Sequence, residues 1–372
     1  MKKIVLCSLL FVAVVMYAEA PAGYYAAAEG KTGESLFDAV SVVAKKGFKQ
    51  LNYSQLWTAY KTTDLKANGK IWDMYGGCDF TYSTNQCGNY SAECDCYNRE
   101  HSIPKSWFCD CTTGMGADLF HLVPTDGKVN GMRSNYAFGE VASATYTYNN
   151  SKLGSAKKIT ITNTMLGTSF TTSSVPEKVF EPADEYKGDF ARGYFGTMIK
   201  WTTSYTMSSG DGKWFFNNTY TEGGHFGLAN YGLALLMKWH RQDPVSQKEI
   251  DRNNGIQATQ GNRNPFIDHP ELAEYIWGNK KGEAWYSGET PVKTVTFREL
   301  AIYPNPATDF VTITTEVPEM HYAIVSLSGQ VLAQGTVASG ETLSLGDLAN
   351  GMYLLRLQAD GKTQVTKIVV NK

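Results

Sequence analysis

The sequence lacks an excess of positive charge. Of its 372 residues, 34 are Lys or Arg and 36 are Asp or Glu, so the formal net charge is −2. Proteins that stay bound to polyanions carry strong basic fields, because much of their affinity comes from neutralising phosphates. If this chain binds a polyanion, we therefore expect the contacts to be local. Such binding suits an enzyme that must release its product.

Long apolar runs are also scarce, and the one substantial run lies within the first twenty residues. This segment, MKKIVLCSLLFVAVVMYAEA, has a basic start, an apolar stretch and a small-x-small end. The stretch is shorter than the roughly 20 residues that span a bilayer, and its end is typical of a signal peptidase site. We predict a signal peptide at residues 1–20, export to the surface or medium, and no transmembrane segment in the mature protein.

Cysteine is absent from most of the chain after the leader. The six remaining cysteines all lie between Cys78 and Cys111. In an exported protein an even, clustered set favours disulfides over zinc, and the single residue within Cys94-Asp95-Cys96 and within Cys109-Asp110-Cys111 is too short for the usual zinc spacing. Six cysteines allow 15 pairings, and the sequence does not choose among them.

Tryptophan is missing from the last eighty residues, since all 8 lie before Pro291. The aromatic-rich part, residues 21–288, predicts a single α+β catalytic domain. Its apolar spacing predicts helices at Ser35–Gly47, at Leu228–Trp239, and at Pro270–Trp277, where proline opens the first turn and Gly278 follows the last.

Residues 289–372 instead contain short runs in which apolar and polar residues alternate. This pattern predicts a small β-sandwich. The expected strands lie at residues 292–297, 310–313, 323–327, 352–357 and 365–370. The segments Tyr303-Pro304-Asn305-Pro306-Ala307 and Asn350-Gly351-Met352-Tyr353-Leu354-Leu355 resemble the C-terminal sorting domain of the type IX secretion system. That resemblance implies secretion or surface attachment, with the secretion machinery as a partner.

Side chains suited to hydrolysis are concentrated between Asn98 and Gly139. Cleaving a phosphodiester needs a base, oxygen ligands for a metal ion, and cations that offset developing charge. His101 is neutral at pH 7 when unperturbed and can accept a proton, while Glu100 and Asn130 offer the oxygen atoms that Mg²⁺ prefers. Arg99, Lys105 and Arg133 can meet phosphate oxygens.

The order of these residues matches a known pattern. Arg-Glu-His-x-x-Pro-x-Ser-Trp, followed by Asp-Leu-x-His-Leu-x-Pro-x-Asp-x-x-x-Asn-x-x-Arg-Ser-Asn, closely resembles the bacterial endonuclease I family of periplasmic and secreted nucleases. Two later segments, Phe180–Arg192 and Asp243–Pro270, extend the resemblance. It implies a ββα-metal (His-Me) finger core within the catalytic domain.

The resemblance also implies residue roles. His101 becomes the general base, assisted by Arg99 and Arg133, and Glu100 and Asn130 hold one Mg²⁺, with Ca²⁺ and Mn²⁺ as alternatives. Lys105 and Asn135 are expected to contact substrate phosphate. The expected substrate is DNA, with RNA as a further one, bound through its backbone and cut to leave 5′-phosphates.

One position departs from the family pattern, and the placement of Glu100 and His101 on one strand raises a geometric problem. Phe120 stands where relatives commonly have a second histidine, so that position is not expected to be essential, and His121 is expected to orient the site. Consecutive strand residues point to opposite faces, so Glu100 and His101 need a bulge or a strand end to serve one centre.

Two other functions remain open at this stage. One is a zinc-dependent hydrolase, although the sequence lacks His-Glu-x-x-His, and the other is a non-catalytic surface-binding protein.

Overall fold

The structure is a computed structural model. It describes residues 20–159, 174–201, 204–207, 209–217, 227–288, 299–327, 329–359 and 362–372. The chain divides into two compact units, Met1–Ser287 and Gly288–Lys372. The predicted signal peptide, apart from Ala20, and the predicted strand at 292–297 lie outside the described residues.

Eight α-helices are described in the first unit. They are α1 Gly33–Lys45, α2 Gln55–Thr63, α3 Gly127–Arg133, α4 Lys187–Trp201, α5 Asn230–Gln242, α6 Gln247–Gln260, α7 Pro265–Asp268 and α8 Leu272–Ile276. The α6 helix shows why its ends fall where they do. Ser246 and Glu249 form a capping box at its start, and Gly261 closes it with a φ of 88°, which glycine adopts without strain.

The strands of the first unit form three small sheets. In chain order they are β1 Lys70–Ile71, β2 Phe80–Thr81, β3 Tyr97–His101, β4 Leu122–Asp126, β5 Ala137–Phe138, β6 Val141–Tyr148, β7 Ser151–Ala156 and β8 Lys178–Glu181. Strand β1 pairs with β2, β3 pairs with β4, and the third sheet has the order β5-β8-β7-β6. All pairs are antiparallel except β5 with β8.

One large aromatic core supports these elements. The α4 helix lies in it with nearly every side chain buried and packs against α5. Four tryptophans are almost fully buried, namely Trp107, Trp239, Trp277 and Trp285. Each buried aromatic side chain contributes about 1.5–3 kcal/mol or more of hydrophobic stabilisation, so this core can support a rigid site at its edge.

Three disulfides account for the six cysteines, as predicted. Cys78 pairs with Cys94, Cys87 pairs with Cys96, and Cys109 pairs with Cys111. The first pair joins Cys78, which lies before β2, to the loop between β2 and β3, and the second joins that loop to Cys96, the residue before Tyr97. Both pairs therefore anchor the entry to β3.

The second unit is all β in its described residues. Its strands are β9 Ala301–Tyr303, β10 Phe310–Thr314, β11 Glu319–Ser326, β12 Val331–Ala338, β13 Thr342–Ser344, β14 Gly351–Ala359 and β15 Lys362–Val370. They form a sheet of order β13-β10-β9 and another of order β12-β11-β14-β15. Val311 and Ile313 of the first sheet share one core with Leu355 and Ile368 of the second.

The element predictions that fall on described residues are confirmed with shifted ends. The three predicted helices correspond to α1, α5 and α8, and α8 begins two residues after the predicted proline start. Strands β10, β11, β14 and β15 lie where alternation placed them. In the described part of the chain, no helix has the length and apolar character needed to cross a bilayer.

Candidate active site

Strand β3 carries both Glu100 and His101 without a bulge. Its antiparallel register with β4 runs unbroken from Tyr97 opposite Asp126 to His101 opposite Leu122. Of the two arrangements expected, the bulge is therefore not present between these strands, and the strand end is, because His101 is the last residue of β3. The two side chains have separate partners, as the strand geometry requires.

The Glu100 carboxylate is held beneath the surface by two donors. It is 3% exposed, and its Oε1 accepts hydrogen bonds from the Tyr75 hydroxyl at 2.9 Å and from Arg133 Nη1 at 2.6 Å. Burial raises the pKa of Glu100 to about 6, although Arg133 and Tyr75 oppose the shift. At neutral pH the group is thus an anion whose orientation is set by its neighbours.

His101 is fixed in a single neutral tautomer. Its Nε2 lies 3.0 Å from the carbonyl oxygen of Gly116, and a carbonyl oxygen can only accept a hydrogen bond. Nε2 therefore carries the proton, and Nδ1 keeps the lone pair. Burial, reinforced by the neighbouring His121, lowers the pKa of His101 to about 3, so the base form is fully populated at neutral pH.

The Tyr53 ring lies against both His101 and Arg99. The Tyr53 ring is stacked on the His101 ring, with 5.6 Å between centroids and 18° between planes. The Arg99 guanidinium lies 3.7 Å from the Tyr53 centroid and 4.3 Å from that of Trp57, and its Nη1 donates to the Tyr53 carbonyl at 2.7 Å. Arg99 thus contributes to a stack that orients His101.

The α3 helix follows β4 directly and brings Asn130 and Arg133 to the same side. Asp126 caps its start by accepting the Val129 N–H at 2.8 Å. Residues three apart on a helix are neighbours, so Asn130 lies beside the Arg133 that contacts Glu100. The Asn130 side chain is half-buried and makes no hydrogen bond with any described residue.

Arg133 has different partners from those expected of a phosphate ligand. It is 1% exposed, and besides Glu100 its guanidinium donates to the carbonyls of His101 at 3.0 Å and Ser102 at 2.7 Å. Because these contacts keep it away from solvent, the structure does not support direct phosphate contact by Arg133. It supports a positioning role, in which Arg133 ties α3 to the end of β3.

The two residues expected to contact phosphate are accessible. Lys105 lies close enough to His101 to affect its ionisation, and its Nζ pairs with Asp110 at 2.9 Å in an exposed ion pair. Asn135 is exposed just beyond the end of α3. Both side chains can reach a ligand, although Lys105 must give up a surface pair worth less than about 1 kcal/mol.

Two carboxylates outside the predicted set organise the loops that frame the site. Asp73 Oδ1 accepts backbone N–H groups of Tyr75 at 3.0 Å and Asp126 at 2.8 Å, which links the Tyr75 loop to the start of α3. Asp118 anchors the turn that presents Gly116. It is fully buried and forms an ion pair with Lys200 at 2.7 Å.

His121 is buried in the position predicted for an orienting residue. Its Nε2 donates to the Met115 carbonyl at 2.8 Å, and its ring centroid lies 5.8 Å from that of His101. Phe120, which replaces the second histidine of relatives, packs in the core with 3% exposure.

The chemistry of the Glu100 and Asn130 side chains fits a hard divalent ion. Glu100 supplies a carboxylate, and Asn130 supplies an accessible side-chain amide without a protein partner, and both are oxygen donors. A thiolate zinc site does not fit. Among the described residues, the cluster of Cys78, Cys94 and Asp126 has ligand spacing, but its cysteines are joined in a disulfide.

Sequence reasoning missed the residues that orient the predicted ones. Tyr53, Tyr75 and Gly116 lie 48, 25 and 15 positions from the partners that they contact. No local spacing connects such residues, and only the tertiary fold brings them together.

A neutral histidine with a free lone pair, a buried carboxylate and oxygen donors beside it define the class of a metal-assisted hydrolase. Comparison with known proteins narrows this class. A family model described as endonuclease I matches residues 32–271, so the chain belongs to the endonuclease I family and is a nuclease. Members of this family depend on a divalent metal.

Curated relatives agree with this family. An extracellular ribonuclease of Bacillus amyloliquefaciens is 34% identical over 261 residues, which make up 68% of this chain and 78% of that protein. One of Bacillus subtilis (strain 168) is 32% identical with the same coverage. Endonuclease-1 of Buchnera aphidicola subsp. Baizongia pistaciae (strain Bp) is 27% identical over 151 residues, or 40% of this chain and 45% of that protein.

The second predicted resemblance is also confirmed. A family model described as a secretion system C-terminal sorting domain matches residues 301–371. The protein is therefore exported through the type IX system and is secreted or held at the cell surface.

Proposed function

We propose that this nuclease hydrolyses internal phosphodiester bonds of both DNA and RNA with little sequence preference, and that His101 is its general base. The observation that carries the proposal is the fixed tautomer of His101. The Gly116 carbonyl holds the proton on Nε2, which leaves Nδ1 available to remove a proton from an attacking water.

Glu100 and Asn130 are the residues that would hold the divalent ion. When bound, such an ion offsets the negative charge that develops on the phosphate during the reaction. The residues around Glu100 prepare it for this role, because Arg133 and Tyr75 fix one carboxylate oxygen before any ligand arrives. Lys105 and Asn135 would then contact substrate phosphates from the surface.

Both DNA and RNA are proposed as substrates because water is the proposed nucleophile. A mechanism of this kind does not need a 2′-hydroxyl, so DNA and RNA are equivalent at the reacting phosphate. The relatives named ribonuclease and endonuclease are consistent with that breadth. Contacts made mainly to the backbone carry little sequence information.

The proposal is tested with the full chain on supercoiled plasmid and on a single-stranded RNA, with and without EDTA. His101→Ala should lower the rate by roughly 10²- to 10⁴-fold on both substrates, and EDTA should abolish cleavage. The matched control is His321→Ala, which removes an exposed histidine of the second unit and should leave the rate unchanged. Retained cleavage by His101→Ala would refute the base.

Product ends test the nucleophile separately. Both substrates should yield 5′-phosphates and 3′-hydroxyls. Cyclic 2′,3′-phosphates from RNA, with DNA left intact, would show that the substrate hydroxyl attacks instead of water.

A further inference from the structure

One exposed aromatic residue lies against the helix that carries Asn130. Tyr90 is 40% exposed, although it is held inside the loop closed by the Cys87–Cys96 disulfide. Its ring contacts α3 at two glycines. A Cβ at Gly127 would lie 3.0 Å from the ring carbon Cδ1, and a Cβ at Gly131 would collide with the hydroxyl. The absence of side chains at these positions lets the ring lie flush with the helix.

Helix geometry places Asn130 between this ring and Glu100. Successive helical residues are about 100° apart, so Gly127 and Gly131 point within about 40° of each other. Asn130 lies about 60° from Gly127 on the side away from Gly131, and Arg133 lies about 60° further round. Since Arg133 contacts Glu100 and the glycines contact Tyr90, Asn130 has Glu100 on one side and Tyr90 on the other.

The charges near Tyr90 are two carboxylates of its own loop and the Lys128 ammonium of α3, which acts on one of them. The same loop contains Glu93 and Asp95, whose carboxylates accept hydrogen bonds from the Tyr146 hydroxyl at 2.8 Å and from the Ser91 N–H at 2.8 Å. These carboxylates disfavour a direct phosphate contact at this loop, so the uncharged ring of Tyr90 is the group that a nucleotide would contact here. A rigid ring in this position loses little conformational entropy on binding, since the disulfide and α3 already restrict it.

We propose that Tyr90 stacks on a nucleobase adjacent to the phosphate that is cut. This rests on the proposed function, because it places the cleaved phosphate beside Asn130. The base must be unstacked from its neighbours to reach the ring, so this contact forms in single-stranded or locally opened nucleic acid. Tyr90 thereby contributes to substrate binding and does not take part in proton transfer.

The test compares wild type, Tyr90→Ala and Tyr90→Phe on single-stranded oligonucleotides. These are DNA or RNA, depending on which of the two wild type cuts faster. Tyr90→Ala should raise KM by roughly 5- to 150-fold, the range expected for one stacked base, with kcat changed less than twofold. Tyr90→Phe keeps the ring and should behave as wild type. Tyr286→Ala is the matched control, because Tyr286 is 66% exposed in the same unit.

An oligonucleotide of abasic residues removes the proposed partner without altering the protein. On this substrate the KM of wild type should rise by the same factor as the KM of Tyr90→Ala rises on the normal one. The KM of Tyr90→Ala should not rise further when the abasic substrate is used. An unchanged KM in Tyr90→Ala, a Phe variant as weak as the Ala variant, or full wild-type efficiency on the abasic substrate would overturn the proposal. These outcomes differ from the one that would refute the proposed function, which is undiminished cleavage by His101→Ala.

Discussion

The environment of His101 shows how single residues outside the motif hold the proposed base in place. Gly116 fixes its tautomer, and Tyr53 covers one face of its ring. Tyr53 in turn lies against Arg99, whose guanidinium also lies over the Trp57 ring. A basic residue that the motif suggested as a phosphate ligand is thus part of the support for the base.

Replacing Tyr53 should therefore reduce turnover without weakening substrate binding. Tyr53→Ala removes the stacked ring, and we expect kcat to fall about tenfold with KM nearly unchanged, because misplacement of a catalytic group costs rate. Tyr53→Phe retains the ring and should restore kcat, whereas a merely structural defect would not separate kcat from KM. Steady-state kinetics on plasmid provides the measurement, and equal loss in both variants would contradict the stacking role.

Tyr75 should matter for metal affinity. Its hydroxyl donates to Glu100 Oε1, and this hydrogen bond lowers the pKa of Glu100 and orients its carboxylate. We expect Tyr75→Phe to raise the Mg²⁺ concentration for half-maximal activity by roughly 10-fold or more, as for other residues that orient metal ligands. Tyr60→Phe is the control, because the buried Tyr60 hydroxyl has no hydrogen-bond partner in the described structure. Matching titration curves for both variants would remove Tyr75 from this role.

Among the elements, the turn between β3 and β4 depends on a buried ion pair. Asp118 and Lys200 are both fully buried, and the Lys200 ammonium also lies 3.4 Å from the Phe48 ring centroid. Burial lowers the pKa of Lys200 to about 8, although Asp118 opposes the shift. The pair thus connects α4 to the turn whose Gly116 carbonyl orients His101.

Removing one member of this pair should destabilise the first unit. Lys200→Met leaves Asp118 buried without its cation, and we expect the free energy of unfolding to fall by about 3–5 kcal/mol. Lys66→Met is the control, because Lys66 pairs with the exposed Asp79 and such a pair contributes less than about 1 kcal/mol. Urea denaturation measures both changes. Similar values for the two variants would show that the buried pair does not hold the turn.

For the whole molecule, buried histidines should make the protein sensitive to acid. Burial lowers the pKa to about 3 for His101 and to about 4 for both His121 and His240. The unfolded chain therefore binds more protons below pH 6.5, so the stabilisation present above that pH is lost as pH falls towards 4. The loss is roughly 3 kcal/mol or more per histidine.

Two buried carboxylates change the stability with pH in the opposite direction, but their effect is smaller than that of the three histidines. Burial raises the pKa of Glu100 to about 6 and that of Glu249 to about 7, so the stability that they contribute at low pH is lost as pH rises through these values. Their combined shift is smaller than that of the three histidines. We expect the urea midpoint to fall between pH 7 and pH 4.5, and His240→Gln should make that fall shallower. A midpoint that rises on acidification would contradict this balance.

Much of the molecule follows from local sequence. The apolar spacing of α1 and α5 and the alternation of β10, β11, β14 and β15 predicted their type and approximate position, because one face of each is buried. The clustered cysteines predicted disulfides, but not their pairing, since pairing depends on distances between loops.

The sequence by itself determined which residues are proposed to carry the chemistry, because His101, Glu100 and Asn130 lie in ordered motifs whose spacing is local. Tertiary structure alone decided how they are held. Gly116 and Tyr53 orient the proposed base, Tyr75 and Arg133 orient the Glu100 carboxylate, and the two glycines of α3 accommodate Tyr90. These contacts join residues far apart in the chain, and their geometry comes from packing and burial, which no short stretch of sequence encodes.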